Sequence, residues 1–253
     1  ILINGGHHGD ELLSVNAALD VAQQLLEPNS PEALNFRESL ITWVVPLVNP
    51  DGNRHFLEDS TRAGRKNGRD LDGDGTRGLV DGVDLNRNYP HQWSAQCARG
   101  CARSTPQSLR YRGPAAGSEP ETQAVMALAK QQRFAASISF HMGTVAVIYP
   151  RAGQNDPALK TLADSVAKAL GRHPNGRPYH TRAPGPAVWG ADQEWLYANG
   201  TYALLVELYG WPPPLESVER RRVLRSLRPA WRSLSRFAVN RSKDTQKSST
   251  NSK

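Results

Sequence analysis

Apolar and polar positions along this chain alternate between two periods. Short continuous apolar runs, "ILIN", "SLITWVVPLV", "FAASISF" and "TYALLVELYG", read as buried strands. Between them lie segments with apolar residues at steps of three and four. Leu12, Val15, Leu19, Ala22 and Leu26 mark one helix face, which "EPNSPE" stops. "SEPETQAVMALAKQQ" reads as a second helix, with Ser118 and Glu121 as a capping pair, and "DPALKTLADSVAKALG" as a third, closed by glycine. Two basic amphipathic helices are expected around Pro229, followed by a polar tail. Strands alternating with helices predict an α/β fold: a mixed, mostly parallel central sheet flanked by helices on both faces.

The length of 253 residues at 38% hydrophobic content suffices for one core. Residues 1–240 are therefore expected to form one domain and residues 241–253 a disordered polar tail. "ILIN" reads as a buried strand with nothing before it, as in a chain lacking its N-terminal portion. The net charge of +7 and the arginine cluster "ERRRVLRSLRPAWRSLSR" suit a solvated helix face. No nucleic-acid recognition motif accompanies them, and no apolar run is long enough for a membrane span. Cys97 and Cys101 are the two cysteines, enough for a loop disulfide or two thiols but not for a four-thiolate zinc site.

The stretch from residue 49 to 117 is rich in Gly, Asp, Asn and Arg with little periodicity, far longer than an idle connection of about 12–15 residues. Ligands in open α/β sheets gather at the carboxyl ends of strands, and His8, Asn49, His141 and Glu207 all fall at or just after such ends. His8 and Glu11, three apart at a strand-to-helix turn, can aim at one point. His141 would complete two imidazoles and a carboxylate, the donor set of a catalytic zinc. Each also has an ordinary reading: Glu11 as a first-turn helix acid, His141 as a hydrogen-bonded core histidine, and His7 as a partly exposed turn histidine.

"HGDE", "NPDG", "RKN", "GVDLNRNYP", "YRGPAAGSEPET", "SFH" and "WLYANGTYALLVEL" stand in one order along nearly the whole chain. Together they resemble the zinc metallocarboxypeptidase family, including its murein peptide amidase branch. The resemblance implies one zinc ion held by His8, Glu11 and His141, with Glu207 as general base. It also implies Arg65 as the oxyanion-stabilising arginine, with Arg62 and Arg69 as competing registers. Asn86 and Arg87 match the pair that holds a substrate's terminal carboxylate, which defines an exopeptidase. Asp84 is read as a loop-ordering acid and Asp51 as a turn former.

The implied activity is hydrolysis of C-terminal peptide bonds by a monomer that is secreted or periplasmic. The alternatives are a bacterial cell-wall peptide amidase, an N-acyl amino acid deacylase, or a metal-free binding module. The chain departs from the family at "APGPAVWGADQEW", which has no tyrosine where digestive members place a mobile one. Asp192 and Gln193 fall where the family's side-chain pocket is often determined, which suits a polar or basic terminal residue. "RDLDGDGTRG" alternates Asp70, Asp72 and Asp74 with glycine like the opening of a calcium loop. The glutamate such a loop needs at its twelfth position is replaced by Asp81, so a flexible acidic turn competes with a Ca2+ site there.

Overall fold

A computed structural model describes residues 1–59, 62–94, 102–183, 189–210 and 217–250. Six strands form one sheet among these residues: β1 (Leu2–Asn4), β2 (Trp43–Val45), β3 (Ala136–His141), β4 (Ala146–Ile148), β5 (Thr181–Arg182) and β6 (Tyr202–Glu207). Their order is β2-β1-β3-β6-β4-β5, and every pair is parallel except β4 with β6. The helices are α1 (Leu12–Leu25), α2 (Pro31–Ser39), α3 (Pro50–Asp59), α4 (Pro120–Gln132), α5 (Pro157–Leu170), α6 (Asp192–Ala198) and α7 (Ser217–Thr250).

Strand alternation divides the apolar side chains between two layers. Ile3, Ile138, Phe140, Leu204 and Val206 face a core shared with α1, α5 and α7. Leu2 and Ala203 turn the other way, against Val125 and Ala129 of α4 and Leu196 of α6. The sheet is thus mixed, mostly parallel and covered on both faces, as the sequence predicts. The central strands β3 and β6 run side by side in register, ending together at His141 and Glu207.

Several local expectations are corrected. "SLITWVVPLV" is not a buried strand: its extended part, β2, is the sheet edge, and Trp43 is 39% exposed. "NPDG" is the first turn of α3, so Asp51 is a helix-start acid favoured by the dipole. Glu119, not Ser118, occupies the N-cap of α4, because Ser118 is drawn away to hydrogen-bond Asn88 and Glu119. One helix, α7, runs through Pro229 where two were expected, held by Ala230, Trp231 and Leu234, which are buried in the core.

The same helix continues to Thr250, so residues 241–250 are helical where an irregular tail was expected. Adding turns to an existing helix avoids the cost of nucleation, which lets a polar sequence follow. Cys97 and Cys101 lie outside the described residues, as does most of the "APGPAVW" segment. Among the described residues no helix is long and apolar enough to cross a membrane.

Candidate metal and peptide site

The site sits above the ends of β1, β3 and β6. After β1 the chain turns through Gly5, Gly6 and Gly9 into α1, and the close approach at Gly9 requires glycine. A Cβ there would lie 2.1 Å from the backbone of Gly52 and Asn53 in α3. Asn49 fastens the same turn, its Nδ2 donating to the carbonyls of His7 and Arg65 and its Oδ1 accepting from Gly52 N–H. Glu11 stands at the N-cap of α1 without capping it, since its carboxylate is turned to the histidines.

His8 Nδ1 lies 2.7 Å from Glu11 Oε1, and His141 Nδ1 lies 3.1 Å from Glu11 Oε2. All three residues are buried, and one ligand atom from each falls within 4.8 Å of the others. Met142 N–H also donates to Glu11 Oε2, fixing the carboxylate. Two imidazole nitrogens and a carboxylate, converging from a turn and a strand end, suit zinc in a site that leaves one position open. The electrostatics agree. Burial and Arg65 oppose a charge on His8, yet Glu11 and Asp84 push its pKa up to about 9, so the pocket favours a cation.

Asp84 does more than order its loop. It accepts from Asn86 N–H, and its Oδ1 lies 3.0 Å from His8 Nε2 while Oδ2 accepts from Arg65 Nη2 at 2.9 Å. It therefore orients a candidate ligand through the far ring nitrogen, a role the sequence alone did not reveal. Burial would raise its pKa, but Arg65 and His8 hold its carboxyl well below the usual range. Arg65 reaches Glu11 and the Leu109 carbonyl as well, which fixes its guanidinium at the cleft. Arg69 instead pairs with Glu119 at 2.8 Å, and the side chain of Arg62 lies outside the described residues.

Glu207 is partly buried at the end of β6, and its Oε2 has no hydrogen-bond partner among the described residues. Gly143 leaves space beside it, for a Cβ there would stand 3.2 Å from Glu207 Oε2. Burial and the Glu11 carboxylate raise the pKa of Glu207. Arg87 is buried, donating from Nη1 to the Asn86 carbonyl while Nε stays unpaired. Asn86 Oδ1 accepts from Asp192 N–H, and its Nδ2 lies 3.3 Å from His141 Nε2. A single cleft of about 430 Å³ brings together His8, Glu11, His141, Glu207, Arg65 and Arg87 with Asn86.

Two expectations fail here. His7 is fully buried rather than a partly exposed turn residue: it meets the Tyr89 hydroxyl at 2.9 Å and stacks on His141. Burial lowers its pKa to about 4. Calcium finds no support at Asp70, Asp72 and Asp74. Those carboxylates, with Asp81, lie close together, but they accept N–H groups of their own turn, and the first three are exposed.

Carboxypeptidase B of Bos taurus is 31% identical over 210 residues, covering 73% of this chain and 46% of that protein. The "Inactive metallocarboxypeptidase ecm14" of Talaromyces marneffei is 28% identical over 186 residues, 67% of this chain and 29% of that one. The chain thus spans less than half the length of these relatives. Among solved structures, bovine thrombin-activatable fibrinolysis inhibitor superposes with a TM-score of 0.79 at 22% identity, covering 95% of this chain and 82% of its own. Murein-tripeptide amidase MpaA of Escherichia coli O157 superposes at 0.54 with 24% identity, covering 91% and 80%. The model of the zinc carboxypeptidase family matches residues 1–217, and the chain belongs to that family.

Proposed function

We propose that the protein is a zinc-dependent exopeptidase that hydrolyses the C-terminal peptide bond of a substrate with a free carboxylate. The observation that carries this reading is one cleft holding the His8, Glu11 and His141 donor set, an unpartnered carboxylate on Glu207, and a buried arginine, Arg87, with an unspent N–H. When bound, zinc supplies Lewis-acid chemistry, polarising a carbonyl oxygen and bringing the pKa of water towards about 7.

Glu207 takes the proton of the attacking water on Oε2 and returns it to the departing nitrogen, a task eased by its raised pKa. Arg65, held by Asp84 and the Leu109 carbonyl, donates to the oxygen that gains negative charge. Arg87 receives the terminal carboxylate, and Asn86 borders it. Every one of these groups comes from one chain, so a monomer suffices. The family resemblance supports secretion or a periplasmic location.

The test offers zinc-loaded protein a peptide with a free C-terminus and the same peptide amidated. Amidation is expected to reduce kcat/KM about a hundredfold, the worth of ~3 kcal/mol in charged hydrogen bonds. Equal cleavage of both would contradict the exopeptidase assignment. Selective cleavage of muropeptides would instead favour the cell-wall amidase reading, which the MpaA superposition supports at the level of fold.

A further inference from the structure

Sheet register builds the far end of the cleft. Leu205 of β6 pairs with Ile148 of β4, and Ile148 pairs with Arg182 of β5. Paired residues on neighbouring strands present their side chains to the same face, and all three line the cleft together with Glu207. Two buried aliphatic groups therefore lead away from Glu207 to an exposed guanidinium, whose Cα stands about 10 Å from that of Leu205 across two strand spacings. Among the described residues Arg182 is paired with no carboxylate.

Gln193, in the first turn of α6, lines the same cleft. It is 1% exposed, and neither its Oε1 nor its Nε2 has a hydrogen-bond partner. A buried amide left without partners costs about 1–3 kcal/mol per group, so its placement on a cavity wall points to a ligand that satisfies it. The exposed charged side chains that line the cleft, Arg110 and Arg182, are both arginines.

We infer that the residue released by the enzyme carries a second carboxylate on its side chain, held by Arg182 with Gln193 Nε2 donating beside it. This rests on the exopeptidase reading, in which Arg87 takes the α-carboxylate. A basic terminal side chain would face Arg182 and Arg110. A carboxamide would satisfy Gln193 but leave Arg182 without a counter-charge.

The test measures calorimetric binding of N-acylated dipeptides ending in Glu, Gln, Lys or Phe to zinc-loaded Glu207→Gln protein, alongside kcat/KM for the wild type. The Glu-ended peptide is expected to bind about tenfold more tightly than the Gln-ended one, and Arg182→Ala is expected to erase that ratio. Arg182→Glu should shift the preference to Lys. A diaminopimelate-ended peptide set against its lysine-ended analogue tells whether the second carboxylate comes from a protein or a cell-wall peptide. Equal binding of the Glu- and Gln-ended peptides, or a Glu preference that survives Arg182→Ala, overturns the inference. Binding selectivity without wild-type turnover would instead sink the exopeptidase reading and leave the anion subsite standing.

Discussion

At the scale of single residues, the account turns on how Asp84 aims His8. With its Oδ1 3.0 Å from His8 Nε2, the carboxylate directs the opposite nitrogen, Nδ1, toward Glu11 and the candidate metal position. Asp84→Asn keeps the shape but loses the charge that also anchors Arg65. Zinc affinity, measured by competition with a chromogenic chelator, is expected to fall about 10–100-fold. Unchanged affinity would show that His8 is oriented without Asp84. The convergence of His8, Glu11, His141 and Glu207 on one cleft was legible because strand ends and short spacings announce them along the chain. The role of Asp84 was hidden, since 76 positions separate it from His8 and only the folded loop joins them. His7 was misread for the same reason: the Tyr89 ring that covers it is 82 residues away.

At the scale of elements, long periodic segments were legible and short ones were not. Helix α5 forms where its pattern predicts and ends at the expected Gly171, with Asp156 as its N-cap, whereas α1 forms as predicted but buries Leu13, Ala17, Val21 and Leu25 and leaves Leu19 and Leu26 of the expected apolar face exposed. Strands β4 and β5 have three and two residues, too few to show a period, yet they carry Ile148 and Arg182 to the cleft. Helix α7 crosses Pro229 because packing outweighs the lost backbone bond. Trp231 lies against Phe36 with ring centroids 5.5 Å apart and donates to Gln24 Oε1. Trp231→Ala is expected to cost about 3–5 kcal/mol in urea unfolding, and a loss below about 1 kcal/mol would show that α7 is not anchored there.

The irregular segment before Asp84 holds a titrating group of its own. Lys66 is buried with Nζ donating to the carbonyls of Leu79 and Pro106, and burial lowers its pKa from 10.5 to about 8. Between those values the unfolded chain holds a proton that the folded chain has released. Stability contributed by this group therefore rises with pH across that window and carries a penalty below about 8. Wild type minus Lys66→Met stability, followed by urea unfolding from pH 7.5 to 10.5, should climb with pH. A flat difference would mean that Lys66 stays charged in the folded protein.

At the scale of the whole molecule, the sheet order places three strand ends side by side, and the chemistry gathers there because loops leaving those ends must share one crevice. The fold class was legible from alternating strand and helix patterns. The cleft's extent was not, because β4 joins antiparallel to β6 and brings in β5, a pairing that no local pattern encodes. Zinc content and product masses, determined together on wild type and Glu207→Gln, test the central claim most directly. The account predicts about one zinc per chain in both proteins, release of a single C-terminal residue by the wild type, and a 10²–10⁴-fold slower reaction in the variant. Full turnover by Glu207→Gln, or a wild type that binds no zinc, would contradict it.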